Sequence, residues 1–506
     1  MTGTSLMRHL LLAAVCVAAF AGSASAQTFR IALREDPDSL DPTLARTYVS
    51  RIVFAGLCDK LFDINAKLEI VPQLATGYEW TDPKTLVIKL RPGVLFQDGE
   101  KMDAEAVKYS LERHLNMQGS FRRSEINVMD HVDVVDPLTV RIVLKAPSSP
   151  FLSQLTDRSG MIVSPKAAEA AGKDFTLKPV CAGPFRFVER VAQDHITLER
   201  FPQYWDAANI RLDRVTYQTI PDSSIRLANL QSGTIELSEY IVPTDIEAVK
   251  QDKRLRLATM DALGFQTLAF NVANGPQSKS PIGTDSRVRR AFERAIDREA
   301  LLQVVYNGLY APAAQGIPPA SPMHVPSIKP LPRDLDAAKA LLKEAGVKTP
   351  VVVRLTVPNN PDLRQVGEII QSMTAEAGFD VQIRASEYAS ALAAANRGEY
   401  EVFLTAWSGR VDPDGNLYSF LHTGGALNES HYSNQSVDAL LDEARAVSDV
   451  AQRRDLYRKM FEQEHQDLPI MYFWFAKSIV GMSAKVNGFQ QVPDGMIRLQ
   501  GVSLAK

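Results

Sequence analysis

The pattern of hydrophobic and polar positions divides the chain into two halves of different character. In the first half, short stretches alternate between apolar and polar residues between turn-forming residues, which is typical of half-buried strands joined in hairpins. Strands are predicted at residues 85–90, 132–135, 139–144, 184–188 and 196–200. One helix is predicted at residues 104–117, where Val107, Leu111 and Leu115 recur every four positions on one face.

The second half alternates strand patterns with helix patterns. Strands are predicted at residues 351–357, 381–384 and 400–406, and helices between them at residues 363–377 and 388–396. Two further amphipathic helices are predicted at residues 287–306 and 334–345. A βαβαβ order of this kind is typical of an α/β domain with a parallel sheet.

Two loops follow carboxyl ends of the predicted parallel strands, where open α/β sheets bind ligands. They are residues 357–361, VPNNP, and residues 407–414, WSGRVDPD. Because both leave the same edge of the sheet, we expect them to converge on one ligand pocket. The flat ring of Trp407 suits the wall of a cleft for an organic solute, although an aromatic ring at a strand end also caps a core.

Residues 1–26 have the features of a secretory signal peptide. Arg8 and His9 precede an apolar run at residues 10–21, and residues 24–26, Ala-Ser-Ala, offer the small side chains that a signal peptidase requires. The run is shorter than the ~20 residues of a membrane-spanning helix. We therefore expect cleavage after Ala26 and a mature protein that is soluble outside the cytoplasmic membrane; the alternatives are an uncleaved anchor and lipidation of Cys16.

The composition is that of a globular protein with two or three domains. The chain has 506 residues, of which 45% are hydrophobic and 23% are charged. The formal net charge is −3, with both signs interspersed and no basic stripe. An electrostatic basis for binding nucleic acid or acidic membranes is therefore missing.

Two cysteines remain beyond residue 26, Cys58 and Cys181, in a compartment that permits oxidation. We expect a disulfide between them; the alternative is a pair of buried thiols. Neither cysteine belongs to a CxxC motif, so redox catalysis is not indicated.

The sequence lacks the common catalytic motifs. GxSxG, a P-loop, HExxH and a GxGxxG that follows a strand are all absent, so neither an enzyme nor a cofactor is indicated. His422 and His431 alone lie near the expected pocket. They could ligate a metal or a metal chelate, but loop histidines that face water are the simpler interpretation, and no metal site is predicted.

Four longer stretches occur in the same order across almost the whole chain beyond residue 26. They are VPQLATGYEWTDPKTLVIKLRPGVLFQDGEKMDAEAVKYSLER (residues 71–113), CAGPFRFVERVAQDHITLERFPQYWD (residues 181–206), DSRVRRAFERAIDREALLQVVYNGLYAPA (residues 285–313) and DLPIMYFWF (residues 467–475). Together they resemble the extracellular solute-binding proteins of family 5, the peptide- and nickel-binding components of ABC importers.

The resemblance implies an α/β periplasmic binding protein fold of type II, in the large cluster with an extra subdomain in lobe I. Lobe I would comprise residues 27–265 and 478–506, with the subdomain at about residues 66–190, and lobe II residues 266–477. In such a fold the lobes close on the ligand by a hinge motion, and the membrane permease with its ATPase recognises the closed form.

As ligand, the resemblance implies a peptide or a carboxylated organic solute, bound by a monomer without catalysis or cofactor. A metal-chelate or nickel binder is the alternative within the same class. A secreted hydrolase is the alternative from another class, and it would need a nucleophile and a base in the cleft.

Compared with the dipeptide-binding members, two polar anchors are replaced in this chain. The Asp that receives the peptide's amino group falls at Arg410, and the Arg that receives its carboxylate falls at Val357. Because a guanidinium presents a planar fork of donors to a carboxylate or phosphate, we expect Arg410 to bind an anionic group of the ligand. A salt bridge from Arg410 to Asp412 or Asp414 is the alternative.

The resemblance also implies that the end of the first strand, residues 34–36, lines the cleft. Glu35 is then a candidate for an amine or hydroxyl on the ligand; the alternative is a solvated surface acid. The predicted ligand-binding residues are therefore Arg34, Glu35, Asp36, Val357, Asn359, Trp407, Arg410 and Asp412.

Overall fold

The computed structural model describes residues 27–505, so the predicted signal peptide lies outside the described residues. The strands, β1 to β19 in chain order, are Thr28–Leu33, Phe62–Ile64, Ile70–Pro72, Ala75–Asp82, Thr85–Leu90, Met129–Asp136, Thr139–Leu144, Phe185–Val191, His195–Arg200, Arg214–Thr219, Leu237–Ser238, Leu255–Phe270, Ala311–Pro312, Val351–Pro358, Phe379–Ser386, Val402–Trp407, Ile470–Ser483, Val486–Asn487 and Ser503–Leu504. The α-helices, α1 to α16, are Tyr48–Leu57, Ala104–Asn116, Arg123–Ile126, Phe151–Gln154, Pro165–Ala171, Ser223–Ser232, Ile246–Gln251, Pro281–Thr284, Ser286–Arg294, Arg298–Tyr306, Leu335–Glu344, Pro361–Ala375, Tyr388–Asn396, Asp414–Leu421, Gln435–Ala446 and Val450–Asp467.

One large sheet runs through the described part of the chain. Its strand order is β15-β14-β16-β12-β17-β11-β1-β10-β9-β8, and β13 pairs with β17 at the side. β1 is parallel to β10 and β11, and β14 is parallel to β15 and β16. The long strands β12 and β17 pair antiparallel in the middle and so join these two parallel groups.

The βαβαβ pattern predicted at residues 351–406 is present as β14-α12-β15-α13-β16, with both neighbours of β14 parallel to it. Helix α12 begins at Pro361, two residues before the predicted start, because the Asn360 side chain accepts a hydrogen bond from the Leu363 backbone N–H and Pro361 occupies the first turn. The α/β fold class predicted from the sequence is confirmed.

The prediction of a single helix at residues 287–306 is wrong, because the structure contains two helices there, α9 and α10. Helix α9 ends at Arg294, and the carboxylate of Asp297 then accepts a hydrogen bond of 2.9 Å from the Ala300 backbone N–H. An aspartate in this position caps a new helix. The apolar periodicity continues across the break, so it does not reveal that the chain changes direction.

The hydrophobic core is divided into separate clusters, as expected for a chain too long for one core. One cluster lies between α1 and the sheet around β1 and β10. A second lies between α2 and a four-stranded antiparallel sheet of order β4-β5-β7-β6. Others surround β12, β14 and β17 and fill the space between α14, α15 and α16. Among residues 27–505, no helix has both the length and the apolar character needed to cross a bilayer.

The expected disulfide between Cys58 and Cys181 is present, with the two Sγ atoms 2.01 Å apart. Cys58 follows the last residue of α1, and Cys181 forms an isolated bridge with Val163. Both cysteines are buried in the cluster around α1. The bond joins positions 123 residues apart and fixes α1 against the segment that precedes β8.

Loss of this disulfide is expected to destabilise the protein. In the chain-entropy description, closing so long a loop stabilises by about 4 kcal/mol, and we expect the Cys58→Ala/Cys181→Ala variant to lose roughly 2 to 4 kcal/mol in denaturant unfolding. Dithiothreitol should lower the midpoint of the wild type and leave that of the variant unchanged. Equal midpoints for oxidised wild type and variant would contradict a stabilising role.

Candidate ligand-binding site

A cavity opens beyond the carboxyl ends of β1, β14 and β16, where β12 and β17 cross the middle of the sheet. Its empty volume, including the part open to solvent, is about 1240 Å³. Pro358 and Asn360 reach it from the end of β14, and Trp407 and Ser408 reach it from the end of β16. The two loops expected to converge on one pocket therefore both contribute to it.

Charged side chains of both signs line this cavity in equal number. They are Arg34, Arg46, Arg226 and Lys477, and Glu35, Glu239, Asp362 and Asp494. Three of them are paired with residues outside the cavity, Arg46 with Glu429, Lys477 with Asp261, and Asp494 with Arg498. Arg34, Glu35 and Asp362 keep polar atoms that have no ion-pair partner among residues 27–505.

Arg34 is held rigidly with one edge of its guanidinium facing the cavity. Its backbone N–H donates to Glu239 Oε1 at 3.1 Å, and its Nε lies 3.2 Å from the same oxygen. The guanidinium carbon lies 4.8 Å from the centre of the Tyr240 ring and 5.6 Å from that of Tyr48. The two Nη nitrogens make no hydrogen bond within the described part of the chain. This edge is a preformed fork of donors for a carboxylate.

Glu35 follows Arg34 and carries a carboxyl group that forms no ion pair with any described residue. Burial raises the pKa of Glu35 to about 8, and the negative charges of Glu239, Glu387 and Asp38 act in the same direction. The charge of Arg34 opposes this shift without overcoming it. At neutral pH the carboxyl of the ligand-free protein is therefore mostly protonated.

Eight aromatic side chains also line the cavity, namely Tyr48, Tyr240, Phe265, Tyr306, Tyr310, Tyr388, Trp407 and Trp474. The polar atoms of most of these rings are already bonded within the protein. The Tyr48 hydroxyl donates to Gly495 O at 2.6 Å, those of Tyr240 and Tyr310 pair at 3.1 Å, that of Tyr306 reaches Asp362 at 3.5 Å, and that of Tyr388 pairs with Thr405 Oγ1 at 3.0 Å.

Trp407 both lines the cavity and belongs to the core, so the two interpretations of its ring apply together. Its Nε1–H donates to Gly415 O at 3.1 Å, and its ring meets Phe420 edge to face. Only 7% of the residue is exposed. What it offers a guest is part of its flat face rather than its indole N–H.

The structure places Arg410 outside this cavity, behind Trp407. Its guanidinium carbon lies 4.3 Å from the Trp407 ring centre, its Nη1 donates to Gly409 O at 2.8 Å, and its Nη2 lies 3.4 Å from Asp157 Oδ1. Burial lowers the pKa of Arg410 to about 10, although the charge of Asp157 opposes that shift. The acid that faces Arg410 therefore comes from a distant segment of the chain.

Neither acid considered as a partner for Arg410 in its own loop pairs with it. Asp412 forms an ion pair of 2.7 Å with Arg453, and Asp414 forms one of 2.6 Å with Arg445. Asp412 does not line the cavity. Both carboxylates anchor the loop after β16 to helices α15 and α16.

Three other predicted site residues also lie outside the cavity wall. Asp36 is buried, and its Oδ2 accepts from Arg190 Nη2 at 2.9 Å. Val357 is fully buried, and Asn359 is exposed and donates its backbone N–H to Ser386 O. Of the eight predicted residues, Arg34, Glu35 and Trp407 line the cavity.

Several lining residues were missed from the sequence, among them Glu239, Asp362 and the tyrosines. Asp362 could have been found, because it follows the Asn360-Pro361 start of α12 and so must lie at the same edge of the sheet. Glu239 and Tyr240 follow the two-residue strand β11, which has no local signature. Their position beside Arg34 depends on the pairing of β11 with β1.

The two histidines considered for a metal lie away from the cavity. His422 stacks on Tyr418 with ring centres 4.3 Å apart, and its Nδ1 bonds to Thr423 O. His431 is exposed in a loop. Within residues 27–505, no group of three or more histidine, cysteine or acidic side chains is arranged to hold a metal ion.

Comparison with known proteins gives both relatives and solved structures. The chain is 30% identical to a glutathione-binding protein of Pectobacterium atrosepticum, with all of both chains covered. It is 26% identical to the periplasmic binding protein DppA of Helicobacter pylori in complex with the peptide STSA, with a TM-score of 0.85 over 95% of this chain and 98% of the other. It is 25% identical to the PBP AgaA of A. tumefaciens R10 in complex with agropinic acid, with a TM-score of 0.86 over 95% and 99%.

These likenesses show the fold of the type II periplasmic binding proteins, which have mixed α/β content. The family model described as bacterial extracellular solute-binding proteins, family 5 Middle, matches residues 69–428. That match covers more than half of the chain and includes β14, β15 and β16, whose ends form one side of the cavity. The chain therefore belongs to the bacterial extracellular solute-binding proteins of family 5.

Proposed function

We propose that this protein is the periplasmic substrate-binding component of an ABC importer and that it captures a peptide-like solute carrying both a carboxylate and an amine. One observation carries the choice of ligand: an open guanidinium edge and an unpaired, largely neutral carboxyl group occupy adjacent positions, Arg34 and Glu35, in one cavity. Family membership supports the transport role, and the glutathione and STSA peptides of its relatives carry both groups.

The carboxylate of the guest binds Arg34. Because Glu239 and the two tyrosine rings already hold the guanidinium in place, little side-chain entropy is lost when the guest arrives. Each hydrogen bond to a charged partner in such a site contributes about 1.5 to 3 kcal/mol. This assignment gives the anionic end of the ligand to Arg34 in place of Arg410, whose donors face Gly409 and Asp157.

The amine of the guest binds Glu35. An ammonium ion beside this carboxyl favours its ionised form and lowers its pKa, so the pair forms with release of a proton at neutral pH. Asp362 lies on the opposite side of the cavity, at the start of α12, and is available to a further donor on the guest.

We propose further that the lobes follow the boundaries expected from the resemblance, with lobe I at residues 27–265 and 478–506, its subdomain at about residues 66–190, and lobe II at residues 266–477.

With these boundaries, both crossovers between the lobes lie in β12 and β17. The register of this pair shifts between Asp261 and Phe265, beside the cavity. Gly264 lies in that interval, and a Cβ there would come within 2.7 Å of Trp407 O. Bending of this pair would close the lobes, and the monomer would then engage the permease and its ATPase.

Replacing Arg34 by Gln is expected to weaken binding by about 50-fold, because the guest's carboxylate loses its charged partner. Glutathione, Ser-Thr-Ser-Ala and agropinic acid are the probes, and titration calorimetry on the ligand-free protein is the measurement. Arg30→Gln is a matched control, since Arg30 lies on β1, which Arg34 directly follows, and binds Glu236 through its backbone N–H and its Nε, but does not line the cavity.

A double-mutant cycle sharpens this prediction. The C-terminal amide of Ser-Thr-Ser-Ala should bind the wild type as weakly as the free acid binds Arg34→Gln, and the two changes together should cost no more than either alone. Additive losses would mean that the carboxylate binds elsewhere. No binding of any probe, together with no small molecule carried by freshly purified protein in native mass spectrometry, would contradict the choice of ligand class.

Binding at pH 7 is expected to release close to one proton from Glu35. Calorimetry in buffers of different ionisation enthalpy measures this number, and Glu35→Gln should reduce it to about zero while weakening the binding of peptides with a free amine. Glu368→Gln, an exposed position on α12, serves as the control. Equal proton release by wild type and Glu35→Gln would rule out Glu35 as the amine's partner.

The same carboxyl makes the stability of the ligand-free protein depend on pH. Its folded-state pKa of about 8 lies above the ordinary value of 4.5, so its stabilising contribution is complete below pH 4.5 and is lost as the pH rises through 8. Glu35→Gln lacks this loss and should be more stable than the wild type at pH 9, by up to about 5 kcal/mol, with no such gain at low pH. Thermal unfolding at both pH values tests the sign.

A further inference from the structure

A buried cluster of arginines lies behind Trp407, away from the ligand cavity. Its members, here called the arginine cluster, are Arg51, Arg122, Arg158 and Arg410 with the acids Glu125 and Asp157, and none is more than 6% exposed. They come from α1, from the segment at residues 120–160, and from the loop between β16 and α14. The cluster therefore joins three parts of the chain that are distant in sequence.

Two carboxylates serve four guanidinium groups in this cluster. Asp157 Oδ2 accepts from Arg51 Nη2 at 2.5 Å, and Asp157 Oδ1 lies 3.4 Å from both Arg158 Nε and Arg410 Nη2. Glu125 pairs with Arg122 and also accepts from the Ser159 hydroxyl. Four positive charges against two negative charges leave two positive charges without compensation inside the protein.

Nearby acids do not supply the missing charge. The carboxylate of Asp494 is paired with Arg498 at 2.9 Å, and only its backbone carbonyl accepts from Arg51. Asp41 forms its ion pair with Arg113.

Several guanidinium nitrogens of the cluster are buried without a hydrogen-bond acceptor. Within residues 27–505 this holds for Nε and Nη2 of both Arg158 and Arg410. The Nη1 atoms of the same two residues are used, since that of Arg158 donates to Ala45 O and that of Arg410 to Gly409 O. The unsatisfied donors belong to the two arginines that share Asp157 Oδ1, so the two guanidinium groups lie close together.

An uncompensated buried guanidinium is energetically costly. Arginine keeps its proton in proteins, and an isolated charge in a medium of low polarity costs several kcal/mol unless it is paired. Consistent with this, burial and then the charge of Arg122 lower the pKa of Arg158 well below its usual value. A water molecule would satisfy the donors but not the charge, whereas an anion satisfies both.

We propose that the arginine cluster binds a small inorganic anion of the chloride class between Arg158 and Arg410. The bound ion replaces the missing carboxylate and ties the loop after β16 to the segment at residues 120–160. Other contacts join the segment at residues 120–160 to the helices that follow this loop, since Gln154 Nε2 donates to Asp414 Oδ2 of α14 at 2.9 Å and Arg445 Nη2 of α15 donates to Ser124 O at 2.8 Å. The ion therefore stabilises the arrangement in which these two parts are in contact.

The test compares chloride with gluconate, which is too large for the site, at constant ionic strength. Raising chloride from zero to about 200 mM should raise the melting temperature of the wild type by about 2 °C. Arg158→Met removes one charge and two of the free donors, and this variant should not respond to chloride. Arg141→Gln is the control, because Arg141 lies in the same segment but forms an exposed pair with Asp133, and it should respond like the wild type.

A wild-type melting temperature that does not change with chloride would overturn the proposal, and so would an equal response from Arg158→Met. If Arg158→Met does not fold, crystals of the wild type grown in bromide decide the matter. An anomalous peak in contact with Arg158 Nη2 and Arg410 Nε supports the proposal, and the absence of such a peak overturns it.

Discussion

The backbone pairing of β12 with β17 positions every wall of the ligand cavity. β12 pairs with β16 and β17 pairs with β11, so this ladder is the backbone connection between the β14 side and the β1 side of the sheet. Hydrogen bonds of this kind are individually modest but numerous, and they allow bending where the register is interrupted. The interruption at Asp261 to Phe265 coincides with the cavity, so the most deformable point of the connection is also where a guest would lie.

The charged groups that line the cavity differ from those that hold the loop after β16 in place. Around the cavity, Arg34 and Glu35 keep polar atoms uncommitted, whereas the acids of the loop after β16 are committed to arginines of α15 and α16. Buried ion pairs such as those of Asp412 and Asp414 hold one geometry, because separating the two partners leaves unpaired charges in the interior. The loop behind Trp407 is thus rigid for reasons unrelated to ligand contact.

Much of the fold could be predicted from the sequence, because its determinants are local. The alternation at residues 351–406 predicted the parallel unit, and the two cysteines beyond residue 26 led us to expect the disulfide. The helix break before Asp297 was lost because apolar periodicity persists through it. The cavity wall could be predicted less completely, since Asp157 lies beside Arg410, and Glu239 beside Arg34, through pairings that no local pattern encodes. Trp407 was expected at the cavity because it ends a strand that the pattern predicts, whereas Glu35 was expected there from the resemblance to family 5.

The tyrosine hydroxyls of the aromatic wall and the Trp407 indole N–H already form hydrogen bonds within the protein, so the wall offers mainly carbon surface to a guest. Apolar surface distinguishes similar side chains by only about 1 to 3 kcal/mol, far less than a mismatched charge or an unmet hydrogen bond. Such a receptor is strict about the termini of its cargo and permissive about the middle. Under the proposed function, one protein of this design would accept a mixture of peptide-like solutes rather than a single compound.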